Sequence, residues 1–161
     1  MSTPTMTAPP SGSVPVRRRV AAALAPSSID VLRVSLGLVF LVFGALKFVP
    51  GLSPAEGLVV QTVDALSFGL MPDRLGMIAV AALETFIGLA LITGRLLLLG
   101  LVALVGAAAG FFAPLFLFAD ELFASGPTLE VQYIVKDIVL VAAALVVAVK
   151  ALGARLEITD E

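Results

Sequence analysis

This sequence predicts an all-α, polytopic membrane protein: a bundle of four transmembrane helices with a short interfacial helix between the first and second spans. Three observations carry that expectation. The chain is 60% hydrophobic and only 14% charged. Its mean hydropathy is +1.11, and apolar segments of membrane-spanning length recur along it. A soluble domain of 161 residues needs more polar surface than this.

The first 28 residues read as a disordered basic tail. Four of the ten prolines fall within the first fifteen residues, among Ser and Thr, a composition that buries too little apolar surface to order itself. Arg17, Arg18 and Arg19 follow, and a basic cluster there anchors an N-terminus in the cytoplasm. The six apolar residues after them are too few for a signal-peptide core.

The first span, 31–49, is VLRVSLGLVFLVFGALKFV, with Ser27, Ser28 and Asp30 before it as capping residues. Arg33, Gly37, Phe40, Gly44 and Lys47 recur at helical spacing and share one stripe. Gly37 and Gly44 on that stripe point to close helix packing. Arg33 is expected to snorkel to the interface. For Lys47, snorkelling and burial stand as equal alternatives. Pro50 and Gly51 stop the helix.

The stretch 52–74 is too mixed to span. Ser53 and Glu56 have capping-box spacing, with Pro54 at the favoured first helical position. Leu58, Val59, Val63, Leu66 and Leu70 fall on one side of the resulting helix, as an interfacial helix requires. A lid over the bundle mouth is the sharper alternative.

The second span, 75–93, is LGMIAVAALETFIGLALIT. Its nineteen residues extend about 28 Å, close to the ~30 Å of a bilayer core. One carboxylate, Glu84, sits at its centre, where an unpartnered charge costs at least ~3 kcal/mol. Met77, Ala81, Glu84, Gly88 and Leu91 form a stripe of the kind that faces another helix rather than lipid. Thr93, Gly94 and Arg95 then turn the chain back.

The third span, about 96–118, carries no charge. Gly106 and Gly110 bracket a small-xxx-small pattern that permits close helix contact within the bundle or in a homo-oligomer. Pro114 should kink it. An acidic loop precedes the fourth span, 131–149, VQYIVKDIVLVAAALVVAV, in which Lys136 and Asp137 lie about 8 to 9 Å from its start. Adjacent positions point ~100° apart, so these two cannot face the same neighbour. A short polar tail, 152–161, ends the chain.

Basic residues set the expected orientation. Arg17, Arg18, Arg19, Arg95, Lys150 and Arg155 fall on one side and only Arg74 on the other, which favours cytoplasmic N- and C-termini. Lys47, Glu84, Lys136 and Asp137 then form a neutral set, and a single network in the outer half of the bundle is expected. No nucleic acid is expected at a net charge of −2. With no cysteine and no histidine, disulfides and thiolate chemistry are excluded, and the usual haem, copper and zinc ligand is missing. No cofactor held covalently or by metal ligands is expected.

LRVSLGLVFLVFGALKF, LETFIGLALITGR and LEVQYIVKDIVL together resemble the DoxX-like family of small bacterial integral membrane proteins, over residues 29–151. Asp137 stands where that family usually has asparagine. The resemblance implies a four-helix domain and marks Lys47, Glu84, Gln132, Tyr133 and Lys136 as the positions of interest. It also implies a bacterial cytoplasmic membrane and a subunit linked to quinone- or thiol-handling redox complexes. Three functions stay open. The chain could be a non-catalytic anchor whose partner subunits carry the redox centres, with a quinone headgroup on Lys47, Lys136 or Tyr133. It could be a proton-coupled carrier that titrates Glu84, or a structural protein whose charges only fix helix register.

Overall fold

The computed structural model describes residues 16–124, 126 and 128–155. Among these the chain is all-helical, apart from an isolated bridge between Ala124 and Gly126. Four long helices, α1 (Val16–Lys47), α3 (Asp73–Thr93), α4 (Leu97–Phe112) and α7 (Leu129–Ala151), are joined by the shorter α2 (Glu56–Leu66), α5 (Pro114–Leu117) and α6 (Ala119–Phe123). Among the described residues, three segments are long and apolar enough to cross a membrane: Val16–Lys47, Asp73–Thr93 and Leu97–Leu117. The last of these runs through α4 and α5, which break at Ala113 ahead of Pro114. Proline has no N–H to donate to the preceding turn, which accounts for the break.

The N-terminal reading needs correction. Helix α1 begins at Val16, so the second half of the expected tail is helical, and residues 1–15 lie outside the described residues. Its opening VRRRVAAALA consists mostly of strong helix formers. Pro26 lies inside the helix on an exposed stretch. Ser27, Ser28 and Asp30 therefore cap nothing, and the Ser28 hydroxyl donates back to the Ala25 carbonyl at 3.3 Å. The capping box at α2 is likewise absent. The N-cap is Ala55, with no side-chain cap. The Glu56 carboxylate instead accepts from the Gly51 backbone at 2.6 Å.

Helices α1 and α3 form the central antiparallel pair. A Cβ on Gly88 would stand 2.6 Å from Leu41 N, and one on Gly37 would stand 2.9 Å from the Gly88 carbonyl. Only glycine permits this approach. Each helix also caps the other's C-terminus. Arg33 of α1 donates to the Leu91 carbonyl and, at 3.2 Å, to that of Ile92. Arg74 of α3 donates to the Phe48 carbonyl at 2.9 Å. A cation there satisfies orphan carbonyls and complements the helix dipole. Arg33 thus serves as a cap between helices.

The remaining long helices close a ring, with α4 against α3 and α7 against both α4 and α1. Gly100 faces Ala90 so closely that a Cβ would lie 2.6 Å from the alanine methyl. Leu36, Phe40, Ile87, Leu91, Leu104 and Val147 fill the end of the ring nearest the α3–α4 turn. That turn has left-handed backbone at Gly94 (φ 70) and at Leu96 (φ 55). Toward the other end Leu122, Val131 and Ile134 form a second, smaller core cluster beside a cavity, and α2 packs there on α3 and α5.

Candidate functional site

The stripe on α3 is buried throughout: Met77, Ala81, Glu84, Gly88 and Leu91 all face inward. On α1, Gly37, Phe40, Gly44 and Lys47 do the same. The two stripes bring Lys47 and Glu84 together at 2.7 Å, with Lys47 4% and Glu84 5% exposed. Lys47 also donates to its own helix at the Phe43 carbonyl, 3.4 Å away. Of the two readings of Lys47, burial is the observed one. The ammonium is desolvated between the Glu84 carboxylate and the Phe43 carbonyl.

Lys136 is held differently. Its ammonium lies 4.1 Å from the centroid of the Phe43 ring and 4.4 Å from that of Tyr133. Phe43 also stands 6.0 Å from the Lys47 ammonium, so one ring separates the two cations. A cation over aromatic faces gains roughly 0.5 to 2 kcal/mol, more when desolvated. Tyr133 and Lys136 are three residues apart on α7, which puts both on one face. Lys136 makes no hydrogen bond or ion pair among the described residues, and neither does Asp137. The expected single network is therefore a pair, Lys47–Glu84, beside an aromatic-caged cation and a half-buried carboxylate.

A cavity of about 640 Å³ joins these groups. Lys47, Glu84, Tyr133, Lys136 and Asp137 form its polar wall. Val39 and Phe40 of α1, Leu58 and Val63 of α2, and Val80 and Leu83 of α3 make the rest apolar. On the α4 side the lining is Ala103, Gly106, Ala107 and Gly110. This corrects the role of Gly106 and Gly110. A Cβ on either would meet nothing within 4 Å, so they hold no helix contact. Their missing side chains leave the cavity its volume.

Gln132 is exposed and takes no part in the cluster. It precedes Tyr133 by one position, and the ~100° step between them turns it away. Phe43, absent from the expected site, is its central ring. Its spacing four residues before Lys47 is the signal that finds it. Thr62 of α2, which also lines the cavity, is buried with its hydroxyl donating to the Leu58 carbonyl at 2.6 Å.

Such an enclosure can take a molecule with an apolar body and an oxygen-bearing head. The half-buried Lys136 lines the cavity and lacks an acceptor among the described residues, and desolvated donors favour one. Glu84 and Lys47 neutralise each other, and Lys136 and Asp137 add one charge of each sign, so an uncharged head keeps the wall neutral. Compared with protein-family models, with curated proteins and with solved structures, the chain matches none.

Proposed function

We propose that this chain is a DoxX-like, multi-pass protein of the bacterial cytoplasmic membrane. In this reading α7 is the fourth span, α2 lies at the outer interface, and both termini are cytoplasmic. Its role is that of a small, non-catalytic subunit or anchor of a membrane redox complex, with a quinone headgroup beside Lys136. The observation that carries the reading is the mixed lining of the cavity. One wall offers an ammonium with free donors and a tyrosine hydroxyl, and the others offer apolar surface. Without cysteine or histidine the chain would leave electron transfer to partner subunits.

The carrier reading built on Glu84 has weaker support. A carboxylate bound to Lys47 at 2.7 Å and packed against α1 is poorly placed to load and release protons through water.

The test is purification of the full chain from its native membrane in mild detergent. The extract is analysed for quinone and for co-purifying haem, flavin or iron–sulfur subunits. Quinone retained by the parent and lost in Lys136→Met, with assembly intact, is the expected result. A parent protein that carries neither quinone nor a redox partner would overturn the reading.

A further inference from the structure

A second cavity, of about 340 Å³, lies at the far end of α1 from the Lys47–Glu84 pair. One side is the α1 face formed by Ala22, Ala25, Pro26 and Ile29, and the other is the end of α7 with Lys150 and Arg155. Asp30 shapes this site. Its carboxylate accepts from Lys150 at 2.8 Å and lies 3.6 Å from Arg33, so one acid is shared by two cations. Arg155 makes no ion pair among the described residues.

The length of α1 explains why the cavity exists. Arg33 marks the level at which α3 ends, since it caps the last carbonyls of that helix. Residues 16–30 therefore project past α3 by about 22 Å. This overhang carries exposed Val16, Val20 and Leu24 at four-residue spacing, and Arg17, Arg18 and Arg19 beside them. An apolar row next to basic residues is the composition that settles at an anionic lipid surface.

We propose that the cavity between the α1 overhang and the end of α7 binds an anionic phospholipid, with its phosphate at Lys150 and Arg155. The acyl ester region lies along Ala22, Ala25 and Ile29. Lys150 and Arg155 line the cavity, Asp30 is shared between Lys150 and Arg33, and an anionic head offsets the remaining positive charge. The small residues of α1 leave room that two exposed cations alone would not enclose. This site is separate from the quinone reading and stands without it.

The test is native mass spectrometry of the full-length protein after exchange into mixed phosphatidylglycerol and phosphatidylcholine. The parent retains phosphatidylglycerol in preference. That preference falls about thirtyfold in Lys150→Gln/Arg155→Gln, as loss of two surface cations implies. Arg155→Gln alone leaves the Lys150–Asp30 pair in place and gives part of the loss. Ala25→Phe fills the cavity, keeps both cations, and also abolishes the preference. Millimolar inorganic phosphate does not displace the lipid. Glu157→Gln/Asp160→Asn/Glu161→Gln, in the acidic tail that follows, leaves the preference in place. The assignment is overturned by equal retention of the two lipids, by displacement with inorganic phosphate, by an unaffected Ala25→Phe, or by loss of preference in the tail variant.

Discussion

Gly44 lies directly against Glu84. A methyl group on Gly44 would stand 3.0 Å from the Glu84 Cβ and 2.8 Å from the Thr85 backbone nitrogen. A close part of the α1–α3 approach thus sits beside the buried ion pair, one turn before Lys47. Gly44→Ala should push the backbones apart and destabilise the protein by about 1 to 3 kcal/mol. Gly88→Ala should cost at least as much, because its nearest neighbour is backbone at 2.6 Å. Gly106→Ala and Gly110→Ala, with open space around them, should lie between neutral and about 1 kcal/mol stabilising. Unfolding in mixed micelles ranks the four variants, and equal costs at all four would refute this account of the packing.

The ion pair is predicted to be costly to break and cheap to replace. Lys47→Met or Glu84→Met alone leaves a buried charge without its partner, at about 3 to 5 kcal/mol. The double variant Lys47→Met/Glu84→Met removes both charges and should recover most of that loss. A double-mutant cycle on the same unfolding assay reads the coupling directly. Additive losses would mean that each charge is satisfied elsewhere.

Around Lys136 the two rings should not be equivalent in their chemistry. Tyr133→Phe keeps a ring under the ammonium and should leave stability within about 0.5 kcal/mol. Phe43→Leu removes the ring shared by both cations and should cost more, while leaving the Lys47–Glu84 pair formed. If quinone retention falls in Tyr133→Phe while stability does not, the tyrosine hydroxyl contacts the headgroup. The bound quinone measured by extraction and the unfolding midpoint separate the two effects.

Orientation is open to a direct check, because the chain has no cysteine of its own. Thr93 and Phe68 are both exposed, at opposite ends of α3. In intact cells a membrane-impermeant thiol reagent should label Phe68→Cys and spare Thr93→Cys. The reverse pattern would invert the proposed topology.

Much of the bundle core can be read from residue spacing. The inward faces of α1 and α3 follow from residues repeating at three and four positions, and a lone Lys and a lone Glu on facing stripes have few other partners to choose. Other features required three-dimensional information. The start of α1 was hidden because Pro26 and two serines resemble a boundary, although an exposed helical turn tolerates them. Gly106 and Gly110 show that a small-residue pattern permits an approach without creating one. It leaves open whether a partner helix or a cavity occupies the space. The cage around Lys136 brings Phe43 of α1 to Tyr133 and Lys136 of α7, a contact between helices that no local spacing reveals. Gln132 shows the converse, since a neighbour in sequence can point out of the site altogether.

The Lys47–Glu84 pair also bears on the cost of placing α1 and α3 in a bilayer. Its two members are 37 residues apart, and both precede α7 in the chain. Neither α1 nor α3 carries its charge cheaply into hydrocarbon alone, whereas a hairpin of the two presents a neutral, sealed seam. In a bilayer core, pairing of the two helices offsets the cost that either charge would carry alone.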